Sequence, residues 1–405
     1  MKISRRASTI QESPIRKLAP VAAAAAAKGR TIYHLNIGQP DVPTPPEFLA
    51  AVAGFGEKVL SYGPSEGLPE LREAMCDYFG RYRIALHPDE VLITNGGSEA
   101  ILFAFNVVAD EGDEIIIPEP FYTNYNGYAG MANLRVVPVR THAEDGFHLP
   151  SDEALEAAVT PRTRAMLVCS PNNPTGTVLA PEEMDRLAAF VRRHDLFLIA
   201  DEVYKEFTYD GRRHRSVLEL EPIRDRVIVV DSISKRFSAC GARVGAVISR
   251  NREVMTSVLK FGQARLCPPT LEQLGAIAAY RLDESYFEAV RSEYQQRRDV
   301  MYSRLTADPG ILLRKPRGAF YMIAKMDGVA DSDDFARWLL SDFDLGGETV
   351  MVAPAGGFYA SQGAGRDEVR MAYVLEVPKL ERAIEVFLAG LARYRALRPA
   401  EAVRA

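Results

Sequence analysis

A lysine that follows a run of buried β-branched residues can do chemistry that a surface lysine cannot. Lys235 stands in Asp231-Ser-Ile-Ser-Lys-Arg-Phe-Ser-Ala-Cys-Gly-Ala-Arg243, just past the apolar run Val227-Ile-Val-Val. Burial in such a small-residue loop disfavours the ammonium and supplies the neutral amine that Schiff-base formation needs. A single lysine taken alone is more often a solvated loop residue, so its company decides. Asp201, in Ala200-Asp-Glu-Val-Tyr204, ends the run Leu196-Phe-Leu-Ile-Ala, and a carboxylate there requires a cation or hydrogen-bond partner. Asn173, in Ser170-Pro-Asn-Asn-Pro-Thr-Gly176, follows Ala165-Met-Leu-Val-Cys, and its flanking prolines fix the backbone that presents it. After Val91-Leu-Ile-Thr comes Asn95-Gly-Gly-Ser-Glu-Ala, where glycines at a helix start leave amides and the helix dipole free for a phosphate, with Ser98 adding a hydroxyl.

The elements that must position these residues repeat. Seven short apolar runs, those just named together with Glu114-Ile-Ile-Ile, Arg135-Val-Val-Pro-Val and Val244-Gly-Ala-Val-Ile, alternate with stretches of helical spacing. In Pro181 to His194, for example, Met184, Leu187, Ala188 and Val191 fall on one face and Pro181 suits a first turn. The pattern predicts an α/β fold, a mostly parallel seven-stranded sheet covered by helices on both faces, with ligands at the carboxyl ends of the strands. Beyond about residue 270 a long helical stretch to Leu305 is expected. It leads into a second, α+β unit with short strands at Gly318 to Lys325, Thr349 to Ala353 and Val369 to Val374 and a final amphipathic helix. Residues 1 to 44 show no strand pattern and lead through the Pro-rich Gln39 to Pro46 into the sheet. The expected division is 1–44 as an N-terminal segment joining the small domain, 45–299 as the large domain and 300–405 as the small one.

Composition narrows the classes. Of 405 residues 47% are hydrophobic and 25% charged, which excludes a disordered chain. Lys and Arg number 49 against 54 Asp and Glu, a net charge of −5, which disfavours nucleic acid as a partner. Cys76, Cys169, Cys240 and Cys267 are far apart and read as reduced, buried thiols, consistent with a cytoplasmic address. The dispersed histidines give no metal-ligand spacing. No window is apolar enough for a membrane span, and the alanine run Ala22 to Ala27 reads as a helix rather than a secretory signal.

Taken together the motifs resemble the aspartate aminotransferase family, the fold-type I pyridoxal phosphate enzymes, from about Leu35 to Glu385. The matching strings are Asn36-Ile-Gly-Gln-Pro-Asp41, Tyr62-Gly-Pro-Ser-Glu-Gly-Leu-Pro-Glu-Leu-Arg72, Gly96-Gly-Ser, Pro171-Asn-Asn-Pro-Thr-Gly176, Asp201-Glu-Val-Tyr204, Ser232-Ile-Ser-Lys235 with Arg243, and Arg370. The resemblance implies a homodimer whose small domain is built by both chain ends, and pyridoxal phosphate as cofactor. It implies that Lys235 carries the cofactor and moves the substrate proton, that Asp201 pairs with the ring nitrogen, and that Tyr204 and Asn173 bind the ring's phenolate oxygen. By the same resemblance Gly97, Ser98, Ser232 and Arg243 hold the phosphate, with Tyr62 reaching it from the second subunit. Tyr122 stacks on the ring, and Gly38, Asn173 and Arg370 take the substrate α-carboxylate.

Rival motifs lack their partners. Ser232-x-x-Lys235 has no Ser-Asp-Asn or Lys-Thr-Gly to make an acyl enzyme, and no Gly-x-Gly-x-x-Gly supports a nicotinamide enzyme. In family members sharing these motifs, a lysine after the Gly-Gly pair helps recognise a distal carboxylate, whereas this chain has Ser98. An aspartate enzyme therefore needs another cation, with Arg265 the first expectation and Arg16, beside Lys17, the second. Transfer from aspartate to a 2-oxo acid such as 2-oxoglutarate is the leading expectation. An aromatic, alanine or prephenate-type aminotransferase, or a C–S lyase of the same fold, is the alternative.

Overall fold

All seven apolar runs form strands of one sheet. The computed structural model describes residues 1–11 and 13–398. In chain order its strands are β1 (Thr31–His34), β2 (Val91–Thr94), β3 (Glu114–Glu119), β4 (Arg135–Arg140), β5 (Thr163–Cys169), β6 (Phe197–Asp201), β7 (Val227–Ser232) and β8 (Gly245–Ile248). They continue with β9 (Ile311–Leu312), β10 (Tyr321–Met326), β11 (Glu348–Met351), β12 (Ala353–Pro354) and β13 (Glu368–Ala372). The large sheet has the order β2-β8-β7-β6-β5-β3-β4, parallel except for β8, which runs antiparallel to both neighbours.

Alternation along each strand feeds two separate apolar layers. Met166, Val168, Leu198, Ala200, Val227 and Val229 pack on one side with helices Pro69–Arg81 and Pro181–Arg193. Ala165, Leu167, Ile199, Ile228 and Val230 pack on the other with helices Gly96–Val108 and Arg252–Arg265. β2, β7 and β8 are buried along their whole length, which explains their unbroken apolar runs, whereas the edge strand β4 is only partly buried.

The reversed strand matters for the site. Because β8 runs backwards, its first residues lie at the edge where its neighbours end, and Gly245 pairs with both Thr94 and Ser232. A Cβ on Gly245 would stand 2.5 Å from the Gly96 carbonyl carbon and 2.7 Å from the Gly97 nitrogen. Only glycine lets the strand meet the helix start so closely. Arg243, two residues earlier, is thereby delivered to the same edge as residues 95–98, 169–173, 201–204 and 232–235.

Beside this sheet lie an antiparallel sheet, β12-β13-β10-β9, and the parallel pair β1-β11. Their core includes Met322, Met371, Phe335, Leu339, Phe387 and Leu391, with Phe335 and Leu339 from helix Ser332–Ser341 and Phe387 and Leu391 from helix Val377–Leu397. Three expectations are corrected here. Residues 1–44 do contain a strand: β1 is only four residues long and half-buried, too short for an apolar run, and it is defined by its pairing with β11. The stretch from 270 to Leu305 is two helices, Thr270–Tyr280 and Glu284–Leu305, because the Asp283 side chain caps the second by accepting from the Ser285 N–H. The four cysteines are free but only partly buried. The alanine run lies in a helix, Ala19–Ala27, and among the described residues no helix is long and apolar enough to cross a membrane.

One turn ties the loop after β5 to the chain entering β10. Gly176 has φ +71°, and its carbonyl accepts from the N–H groups of Arg317 and Gly318 at 3.0 and 2.8 Å. A Cβ there would meet Pro316 at 2.5 Å and the Tyr321 carbonyl at 2.7 Å. Gly176→Ala therefore combines positive-φ strain with a clash against backbone, and its urea midpoint should fall by the equivalent of about 2 kcal/mol or more. An unchanged midpoint would mean that the two segments are not locked together.

Candidate active site

The carboxyl ends of β2, β5, β6 and β7 and the start of β8 open onto one cavity of about 470 Å³, closed on its far side by the N-terminal segment and β13. Gly38, Gly97, Ser98, Tyr122, Asn173, Asp201, Tyr204, Ser232, Lys235, Arg243 and Arg370 all line it, and so does Arg16.

One end gathers donors that could hold a phosphate. Helix Gly96–Val108 begins without a side-chain cap from Asn95, which leaves its first-turn amides available. Arg243, itself left-handed at φ +56°, lays its guanidinium over this start, hydrogen-bonded to the Cys240 carbonyl at 3.1 Å. A Cβ on Gly96 would stand 2.2 Å from Arg243 Nη2, so the glycine is what admits the arginine. Hydroxyls of Ser98, Ser232 and Ser234 surround the spot; Tyr128 donates to Ser98 and Ser232 shares a hydrogen bond with Ser234.

The middle holds the carboxylate. Asp201 is buried; its Oδ2 accepts from the Tyr125 hydroxyl at 2.7 Å and its Oδ1 from the Val203 N–H at 3.3 Å. No lysine or arginine pairs with it among the described residues, and burial pushes its carboxyl up to about 6. Such a group lacks a counter-charge, which the cation of a bound ligand could supply. Tyr122 presents its ring to the cavity, packed edge-on against Tyr125 and held through its hydroxyl by Asn124. Tyr204 shares a hydrogen bond with Tyr321 at 3.0 Å. Lys235 is partly rather than fully buried, because its chain reaches into the cavity, where Nζ donates to the Gly38 carbonyl at 2.9 Å and lies 3.7 Å from Cys240 Sγ.

The other end carries Arg370, only 1% exposed. It donates to Asn173 Oδ1 at 3.1 Å and to the Asn36 carbonyl, and lies between the rings of Tyr321 and Phe358 at 4.6 and 4.8 Å. Among the described residues its Nε has no hydrogen-bond partner, nor has the buried Asn36 Oδ1, and burial pushes its guanidinium pKa down. A buried cation so placed accepts a ligand carboxylate. Gly38 is dictated by contact: a Cβ there would overlap the Tyr321 hydroxyl.

Two expected residues lie elsewhere within the chain. Arg265 donates to the carbonyls of Ser65 and Ile93 at 3.3 and 3.0 Å and has Nε 3.3 Å from Glu99. With Tyr62 it lines a separate hollow, so internal carbonyls and Glu99 occupy the charge expected to face substrate. Tyr62 itself is 80% exposed. Arg16 does reach the cavity. Pro14 packs against Gly357, Ile15 packs on the cluster around Phe358, and Lys17 pairs with Asp333, which fixes the segment over the site. The Arg16 guanidinium has no hydrogen-bond or ion-pair partner among the described residues. Sequence reasoning passed over Tyr125 and Tyr321, whose positions in an aromatic-rich helix start and an apolar strand look like ordinary core.

A model of the family "Aminotransferase class I and II" matches residues 30–387. The chain is 31% identical to the aspartate aminotransferase of Bacillus subtilis over 95% of its own length and 98% of that protein. It is 33% identical to aromatic-amino-acid aminotransferase 2 of Thermococcus litoralis, covering 95% and 97%. Among solved structures it is similar to the alanine aminotransferase of Pyrococcus furiosus, with a TM-score of 0.88 and 30% identity, covering 97% of this chain and all of that one. Matched by the family model from residue 30 to 387 and by relatives almost end to end, the chain belongs to the class I and II aminotransferases, enzymes that work through pyridoxal phosphate.

Proposed function

We propose that the chain transfers the amino group of L-aspartate to a 2-oxo acid such as 2-oxoglutarate by a ping-pong reaction. The observation that carries this reading is that, besides Arg243 at one end, the cavity is lined by two guanidiniums, Arg370 and Arg16, neither with an ionic partner among the described residues. A dicarboxylic donor needs two such groups, because burying a carboxylate without a cation costs several kcal/mol.

Each residue has a role in this proposal. Arg243, Ser232, Ser98 and the amide of Gly97 hold the phosphate, Tyr122 covers the ring, Tyr204 and Asn173 bind its phenolate oxygen, and Asp201 keeps the ring nitrogen protonated. Pyridoxal phosphate, when bound, supplies the electron sink for the charge that develops at the substrate Cα. Lys235 Nζ would hold the cofactor until the substrate amine displaces it and, freed as an amine beside the Gly38 carbonyl, would take the proton from Cα. Arg370 grips the α-carboxylate and, through its bond to Asn173, ties substrate orientation to the cofactor. Arg16 takes the distal carboxylate. Tyr62 completes the phosphate pocket of a second subunit: it is exposed beside Val59 and Leu60, which are 70% and 56% exposed, an apolar strip that a partner would cover.

Aromatic lining by Tyr122, Tyr125, Tyr128 and Tyr321, with Arg16 itself exposed to solvent, favours a second reading, an aromatic or other monocarboxylic donor. A half-reaction screen of amino donors, followed through cofactor absorption, separates the two. Arg16→Ala should lower kcat/KM for aspartate about tenfold to a hundredfold and leave alanine within about twofold. Equal losses would make Arg16 structural, and a wild-type preference for an aromatic or monocarboxylic donor would replace the dicarboxylate reading.

Asp201→Asn preserves shape and the bond from Tyr125 but removes the charge, so turnover should drop by about 10²–10³ with little change in the urea midpoint. Near-normal turnover would show that the ring nitrogen is held by another group.

Mixed dimers test the shared pocket. Tyr62→Ala and Lys235→Ala variants, each impaired alone, should regain partial activity after subunit exchange, since one of the two sites in a hybrid is intact. No gain after verified exchange would sink the assignment of Tyr62.

A further inference from the structure

Outside the catalytic cavity lies a second one of about 340 Å³, reaching from the turn after β6 to helix Glu284–Leu305. Tyr204 faces the first cavity and its neighbour Lys205 the second. Lys205 is 7% exposed, yet its ammonium has neither a hydrogen-bond nor an ion-pair partner among the described residues. It rests on aromatic rings, 3.4 Å from the centre of Phe79 and 4.3 Å from that of Tyr78. Charge at the mouth is also predominantly positive. Arg212 is exposed and its side chain has no partner among the described residues, and Arg291 pairs with Glu284 but leaves Nε unsatisfied among them.

The acids nearby are already engaged. Glu206 takes the Tyr82 hydroxyl on both oxygens, at 2.9 and 2.8 Å, and lies 3.9 Å from Arg236. Glu219 accepts from the Ser216 N–H and stands 3.7 Å from Arg213. Glu202 accepts from Ser216 and the Val217 N–H and has His214 at 3.2 Å. A buried amine facing an open cavity, with aromatic faces behind it and arginines before it, lacks only an anion.

We propose that this cavity is a second ligand site, taking the oxyanion group of a small metabolite, a carboxylate or a phosphate, between Lys205 on its floor and Arg212 and Arg291 at its rim. Arriving anions complete the ion pair that the chain leaves open. Burial, with the nearby Arg236 charge adding to it, pushes the Lys205 amine down to about 7 despite Asp231 and Glu202. An anion reverses that shift by favouring the ammonium, so occupancy draws in a proton and removes a reactive neutral amine. The cavity lies against the catalytic machinery: Arg236, next to Lys235, forks onto Asp231 at 2.8 and 3.0 Å.

The test uses the holoenzyme at fixed ionic strength in potassium chloride, treated briefly with acetic anhydride near neutral pH and mapped by peptide mass. Without added anion Lys205 should acetylate readily. Inorganic phosphate or succinate, at about ten times its dissociation constant, should slow that reaction about tenfold while exposed Lys28 and Lys260 change less than twofold. Protection by phosphate alone assigns a phosphoryl ligand, by succinate alone a carboxylate, and by both a shared oxyanion site. Arg212→Ala should remove most of the protection. Protection by neither anion, undiminished protection in Arg212→Ala, or a Lys205 that resists acetylation from the outset would each overturn the proposal.

Discussion

Asp201 and Arg370 carry opposite charges inside one cavity, and neither has an ionic partner among the described residues. Left to relax, two such groups would approach each other or draw in water, because isolated buried charge is costly. They are kept apart by what surrounds them. Tyr125 and the Val203 amide hold the carboxylate at the end of β6, while Asn173, the Asn36 carbonyl and two aromatic rings hold the guanidinium on β13. The fold thus stores an unmet demand for a cation at one place and an anion at another, which is the preorganisation that selective binding requires.

Maintaining that separation needs two sheets in fixed relation. Asp201 belongs to the large sheet and Arg370 to the small one. Between them, Tyr321 on β10 touches everything: it bonds Tyr204, lies under Arg370 and fills the space that a side chain on residue 38 would take. The turn at Gly176 and the bridge between Thr208 and Gly318 hold the chain leading to Tyr321 against the large sheet. Beneath Lys235, the Asp231–Arg236 fork fixes the short turn that carries the lysine, and both its members are fully buried.

How much of this could be read in the sequence follows from how local each cause is. The inner strands of the large sheet were legible because burial on both faces leaves an unbroken apolar run, the edge strand β4 by its β-branched residues although it is only partly buried, and residues 95–98, 173, 201, 204, 232 and 235 because each stands just after such a run. β1 was not, since four half-buried residues acquire strand character only from pairing with β11, more than 300 positions away. Nor was the antiparallel direction of β8, although it explains why Arg243 precedes its strand while the other site residues follow theirs. Tyr125 and Tyr321 escaped because a buried tyrosine looks the same in sequence whether its hydroxyl meets a carboxylate or a carbonyl. Lys205 is more deeply buried than Lys235, and no local pattern announces it, because its neighbours Tyr78 and Phe79 come from a helix more than a hundred residues earlier.

The same reasoning separates Arg265 from Arg16. Arg265 follows the sheet and ends a helix packed against it, so carbonyls of Ser65 and Ile93 and the carboxylate of Glu99 were within reach to satisfy it. An arginine in a well-packed framework tends to find partners, because leaving it unpaired would destabilise the fold itself. Arg16 sits on a segment held by Pro14, Ile15 and Lys17 on either side of it, and its own side chain is spared that requirement by exposure to solvent. A charge meant for substrate is therefore better carried by a strap anchored through its neighbours than by a helix embedded in the core. The strap can also change in sequence without disturbing the cofactor residues at the sheet edge. On the proposed reading, that separation would let the donor preference vary while the residues at the sheet edge stay fixed.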